Sequence, residues 1–260
     1  MKKSFYQDVF LHKLNYGRTH CLGLDPWRRK GEKEMQMDGL PENNTVAIAG
    51  KIVEGCSFSH EVYGEGFYTF QISSERLSDK EDILPVTISE RLIDRELLQV
   101  GARVDIVGQL RSYNNYTSKK NRLVLTIFAR EIRLMEAGEE KNENQIFLNG
   151  FICKPPIYRK TPFGREISDI LVAVNRAYNK SDYIPCIAWG RNARYMANLA
   201  VGANIRVWGR VQSRTYQKRI GDAVEERVAY EVSVSKIELP GHGKEETEET
   251  AAGWKEAGAE

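Results

Sequence analysis

The 260-residue sequence predicts an all-β protein with short helices, folded as two consecutive five-stranded barrels between a flexible N-terminal arm and an acidic tail. Three observations carry this. A segment occurs twice at a spacing near 100 residues. Each occurrence divides into five strand-like stretches. A short helical stretch falls between the third and fourth of them in both.

The repeat opens at Asn44-Thr45-Val46-Ala47-Ile48-Ala49-Gly50-Lys51-Ile52 and again at Asn144-Gln145-Ile146-Phe147-Leu148-Asn149-Gly150-Phe151-Ile152. The offset of 100 persists at Leu84-Pro85-Val86 and Ile184-Pro185-Cys186. It becomes 101 at Val100-Gly101-Ala102 and Val201-Gly202-Ala203, holds for Gly108 and Gly209, and reaches 105 at Ile132 and Ile237. Gaps confined to polar stretches mean two copies of one fold.

In the second copy, apolar alternation predicts strands at 146–152, 166–174, 183–189, 204–211 and 227–238, with a helix at 193–199 ending before Gly202. Thr161-Pro162-Phe163-Gly164 marks the turn between the first two strands. The first copy places its helix at 91–98, before Gly101. Five strands with one helix between the third and fourth is the order of the OB-fold barrel; the helix position argues against an SH3-like barrel or a split sandwich. The expected division is a basic arm at 1–40, a first OB barrel at 41–137, a second at 144–240 and an acidic disordered tail at 241–260.

Net charge is only +2, but it is unevenly spread. Residues 142–240 hold 15 Lys and Arg against 9 Asp and Glu, whereas residues 41–141 hold 13 against 16. The first 40 residues hold 8 against 5, and the last 20 hold 2 against 6. The second copy is therefore the candidate polyanion binder. No apolar run approaches membrane length, and the N-terminus lacks a signal-peptide core, so a cytoplasmic protein without membrane contact is expected.

Cys21, Cys56, Cys153 and Cys186 form no CxxC pair or zinc-like spacing; Cys153 and Cys186 fit buried thiols, and His20-Cys21 is too little for a metal site. His12, His20, His60 and His242 all lie outside the second copy's strands, and no P-loop, GxSxG or HExxH occurs. No catalytic residue, metal or cofactor is expected.

Side-chain alternation along the third strand of the second copy puts Ile184, Cys186 and Ala188 inside, and Tyr183, Pro185, Ile187 and Trp189 outside. In the fourth strand Ile205, Val207 and Gly209 point inward, and Arg206, Trp208 and Arg210 outward. Tyr178 stands beside Arg176 and Lys180. A loop after the first strand carries Tyr158, Arg159 and Lys160; one after the fourth carries Arg214, Tyr216 and Lys218. Unpaired bases stack on aromatic rings and phosphates need cations, so this interleaving suits a single strand of any sequence. Packing against a helix or partner is the alternative reading for Trp189 and Trp208.

The second copy resembles the bacterial single-stranded DNA-binding protein family in a tandem form. The matching stretches are Asn149-Gly150 with Pro155, Tyr158-Arg159-Lys160-Thr161-Pro162-Phe163-Gly164, Leu171-Val172-Ala173-Val174-Asn175-Arg176, Asp182-Tyr183-Ile184-Pro185-Cys186-Ile187-Ala188-Trp189-Gly190-Arg191, and Val201-Gly202-Ala203 through Gly209-Arg210-Val211. The resemblance implies base stacking at Tyr178, Tyr183, Trp189 and Tyr216, and extends the basic surface to Arg191. It implies protection of single-stranded DNA in replication, recombination and repair. It also implies a homodimer, whose two chains together supply four OB folds. The family's acidic tail ends in a hydrophobic tip that docks replication and repair proteins. Here Lys244-Glu245-Glu246-Thr247-Glu248-Glu249-Thr250 is acidic, but the end reads Gly258-Ala259-Glu260, which puts recruitment in doubt; Trp254 is the one substitute aromatic.

The first copy has Ser78, Ile83 and Ser89 where the second has Tyr178, Tyr183 and Trp189. It is expected to be mainly architectural, with the loop at 111–120 touching DNA. Trp27-Arg28-Arg29-Lys30 reads as part of the arm. The competing functions are an RNA-binding OB protein, since stacking serves either nucleic acid, and an assembly protein of the primosome type.

Overall fold

The computed structural model describes residues 43–76, 78, 80–114, 123–220 and 223–240. The arm, the tail with Trp254 and the 115–120 part of the first-copy loop lie outside the described residues.

Eleven strands and one α-helix make up the described fold. The first copy comprises β1 (Asn44–Val62), β2 (Glu65–Glu75), β3 (Glu81–Ser89), β4 (Arg103–Asn114) and β5 (Leu123–Leu134). The second comprises β6 (Asn144–Ile152), β7 (Ile157–Lys160), β8 (Glu166–Asn175), β9 (Ser181–Trp189), helix α1 (Gly190–Ala197), β10 (Asn204–Ile220) and β11 (Ala223–Glu238). In the first copy β1 pairs with β2 and β4, β2 with β3, β4 with β5, and a short parallel contact between β3 and β5 closes the barrel. The second copy closes identically through β6, β8, β9, β11 and β10, with β7 added outside β8.

Alternation explains the interior. Leu84, Val86 and Ile88 of β3 and Ile184, Cys186 and Ala188 of β9 are each at most 2% exposed, on the inward side of their strands. Cys186 is a fully buried thiol, and burial pushes its pKa up; Cys153 is only half-buried. Gly150 and Gly209 mark close approaches of the second barrel's strands. A Cβ on either would overlap a backbone carbonyl oxygen, of Ala173 or Ser233 respectively, and Gly50 and Gly108 repeat the arrangement in the first barrel.

Several elements differ from expectation. Tyr158, Arg159 and Lys160, expected on a loop, lie on strand β7 paired with β8, and 111–114 of the expected first-copy loop belong to β4. The first-copy helix at 91–98 is a single 3-10 turn, Arg95–Leu97, because the Asp94 side chain caps Glu96 N–H (2.9 Å) and leaves one turn before Leu98. Helix α1 begins at Gly190, earlier than 193, and buries Ala193 and Met196. The stretch after the fourth strand is not a loop: β10 runs on to Ile220, paired residue by residue with β11.

The two barrels share one sheet. β1 and β6 pair antiparallel from Asn44↔Leu148 to Ile48↔Asn144. Asn44 bridges to Leu110 on β4 through both its amide nitrogen (2.8 Å) and oxygen (3.0 Å); Asn144 does the same to Val211 on β10 (2.9 Å each way). Two buried carboxylates clasp the seam from opposite sides. Asp82 of the first copy accepts from Ser213 N–H (2.8 Å) and pairs with Arg76 and with Arg210 (2.7 Å). Asp182 of the second accepts from Ser112 N–H (2.7 Å) and pairs with Arg176 (3.2 Å). Desolvation holds the Asp182 pKa above the usual carboxylate value, opposed by the Ser112 amide and the Arg176 and Arg111 guanidiniums.

Candidate nucleic-acid interface

The outer face of β9 carries Tyr183 and Trp189, which are 40% and 41% exposed. Six residues of strand separate them by about 20 Å. Ile187, expected outside with them, is 3% exposed and lies in the sheet between Asp169 of β8 and Ser233 of β11. The face is thus two aromatic platforms separated by a covered middle, with Pro185 half-buried between them.

At the Trp189 end, Arg159 of β7, Ile167 of β8 and Trp189 form one row across three strands. Arg159 is also paired with Asp169 (2.6 Å), and it remains half exposed. Tyr158 donates its hydroxyl to Glu166 (2.7 Å), which raises the phenol's pKa. Lys160 and Arg191 are exposed on the flanks. At the Tyr183 end, the turn between β8 and β9 places Tyr178 and Asn179 at φ values of 60° and 54°. Left-handed backbone at non-glycine residues costs on the order of 1 kcal/mol or more each. It leaves the Tyr178 ring 94% exposed, next to exposed Lys180.

The β10–β11 ribbon adds Arg214, Tyr216 and Lys218. Arg214 pairs with the buried Glu231 (3.3 Å), and its guanidinium lies 5.7 Å from the Tyr216 ring. Tyr216 is half-buried and Lys218 exposed.

Three expected binding residues are engaged elsewhere. Arg176, just after β8, and Arg210 of β10 meet Asp182 and Asp82 at the seam. Trp208 packs on Phe147 (ring centroids 5.0 Å apart) with Lys236 Nζ 4.7 Å from its ring. The cross-strand register places both neighbours beside it, and Trp208 holds the sheet together at β6, β10 and β11.

Sequence reasoning missed the aromatic residues on the outside of the first barrel. Phe67 on β2 and Phe128 on β5 approach within 5.8 Å, His60 stacks on Phe67 at 4.9 Å and 9°, and the Arg111 guanidinium lies 3.7 Å from the Phe128 ring. The signal was present in the sequence, but on strands adjacent to the one where the second copy carries its aromatics.

Residues 143–240 match the model of the single-strand binding protein family. The single-stranded DNA-binding protein of Clostridium tetani (strain Massachusetts / E88) is 35% identical over 98 residues, covering 34% of this chain and 68% of that protein. Single-stranded DNA-binding protein A of Bacillus subtilis (strain 168) is 35% identical over 88 residues, covering 31% of this chain and 51% of that protein. The chain spans about half the length of several such relatives. The crystal structure of wild-type single-stranded DNA binding protein from Thermus aquaticus superposes with a TM-score of 0.61 at 18% identity, covering 79% of this chain and 96% of that one. That likeness shows the tandem OB architecture alone. Family members are non-enzymatic DNA-binding proteins. The family match to the second barrel, and the extent of the Clostridium tetani protein it covers, establish that this chain belongs to the single-strand binding protein family.

Proposed function

We propose that the chain binds single-stranded DNA without sequence preference and protects it during replication, recombination and repair. The observation that carries this reading is the pair Tyr183 and Trp189, two large aromatics held two-fifths exposed on a strand whose opposite side is wholly buried. Large rings in that position serve a partner with flat apolar surfaces, and bases are such surfaces. The stacking set is Tyr178, Tyr183, Trp189 and Tyr216. Tyr158, Arg159, Lys160, Lys180, Arg191, Arg214 and Lys218 flank it. Arg176, Arg210 and Trp208 serve the fold instead.

Titration with poly-dT tests this. Trp fluorescence should be quenched, and log K should fall with log salt at about −0.7 per phosphate contacted. Absent quenching, or preference for a matched RNA in competition, would overturn it. Two chains, giving four barrels, form the working unit by resemblance to the family. Sedimentation should give the mass of a dimer of the 29.7 kDa chain; a stable monomer refutes this.

A further inference from the structure

The turn that carries Tyr178 and the strand start that carries Tyr183 are both held by the first barrel. Asn175 and Ser181 pair at the mouth of this turn, and Arg176 N–H donates to the Lys180 carbonyl (2.7 Å) to close it. On one stem, the Asn175 carbonyl accepts from the side-chain amide of Asn43, just before β1 (2.7 Å). On the other, Tyr183 N–H donates to the Ser112 hydroxyl of β4 (2.7 Å), and Ser112 N–H donates to the Asp182 carboxylate (2.7 Å). Ser112 is thus bonded to two consecutive residues of β9, and it is buried.

The mirror positions are held differently. Ile83 N–H reaches the Ser213 hydroxyl at 3.2 Å. Glu143 takes the place of Asn43: its carbonyl accepts from Ala49 N–H (2.7 Å), as the Asn43 carbonyl accepts from Asn149 N–H (2.8 Å). A carboxylate side chain donates no hydrogen bond, so it cannot repeat the Asn43 contact. The ion pairs are unequal in the opposite sense. Asp82 hydrogen-bonds to the guanidiniums of Arg76 and Arg210. Asp182 has Arg176 Nε at 3.2 Å, outside hydrogen-bond geometry, and the charge of Arg111 acting on it through space. The clasp beside Ile83 therefore rests on guanidiniums, and the clasp beside Tyr183 rests on Ser112.

The difference falls where rings must be placed. Left-handed backbone at Tyr178 and Asn179 persists only where its surroundings over-determine it. A ring held in place before binding spares the cost of ordering it on binding. We propose that Ser112, with Asn43, is a positioning residue of the single-strand site, through which the first barrel sets Tyr183 and the Tyr178 turn for stacking. It acts through the rings it places and makes no contact with DNA. This rests on the reading of Tyr178 and Tyr183 as stacking residues.

The test is a double-mutant cycle on the full chain, read as affinity for poly-dT by anisotropy, with denaturant midpoints measured alongside. Ser112→Ala should bind roughly fivefold more weakly, the effect of about one hydrogen bond, with an unchanged salt slope. In a Tyr183→Ala background the same substitution should leave affinity unchanged, because no ring is left to place. Ser112→Thr, which keeps the hydroxyl, should restore binding. Ser213→Ala, the mirror substitution, should lower the midpoint comparably and leave affinity unchanged, since Ile83 stacks nothing. Equal losses in both Tyr183 backgrounds overturn the inference, because the effect is then one of stability alone. Unaltered affinity in folded Ser112→Ala overturns it too, as does an equal loss with Ser213→Ala. If Ser112→Ala does not fold, Asn43→Ala in a cycle with Tyr178→Ala decides by the same criteria. Tyr183→Ala binding as tightly as the unaltered protein would remove the stacking reading itself, and the inference with it.

Discussion

The Tyr183→Ala, Trp189→Ala double variant is expected to bind poly-dT at least roughly 30-fold more weakly than the unaltered protein, since each stacked base contributes about 1–3 kcal/mol. Fluorescence anisotropy of a labelled oligonucleotide measures this without relying on the lost tryptophan. The barrel should survive, because neither ring belongs to the buried apolar cluster. The salt slope should stay unchanged, because neither side chain carries charge and the lysines and arginines around them remain. A loss below about threefold, from a folded variant, would mean that the rings do not stack bases.

Asp82→Ala should cost roughly 3–5 kcal/mol of stability, because removing one partner leaves buried opposite charge uncompensated. The carboxylate is fully buried, while Arg76 and Arg210 are each only about a quarter exposed. Three groups lose their acceptor together: both guanidiniums and the Ser213 amide. Denaturant unfolding should show a lower midpoint. The transition should also broaden or split, as the barrels lose one of the two clasps that couple them. A midpoint within the error of the unaltered protein would mean that the clasp does not carry the seam.

The repeat made the barrels legible before any coordinates. Offsets of 100 and 101 reappear as Gly50 and Gly150 on the first strands, and Gly108 and Gly209 on the fourth. Period-two alternation placed Ile184, Cys186 and Ala188 inside. What escaped was pairing over long separations. Arg210 read as a cation for phosphate because its partner, Asp82, lies 128 residues away. Ile187 read as exposed because alternation names a face and not what covers it. Phe67 and Phe128 went unremarked because comparing copies position by position asks only whether Ser78, Ile83 and Ser89 stayed aromatic.

The β1–β6 pairing has a consequence for how the two halves diverge. In an assembly of identical single-barrel chains, every substitution appears on both sides of the interface, and dilution separates the halves. Here residues 135–143 tether β5 to β6, which holds the partner at an effective concentration in the millimolar range. Each barrel is encoded separately, so one gene specifies what is in effect a heteromer. Ser89 and Trp189 can differ at equivalent places only under that arrangement, and each half is free to specialise without leaving its partner.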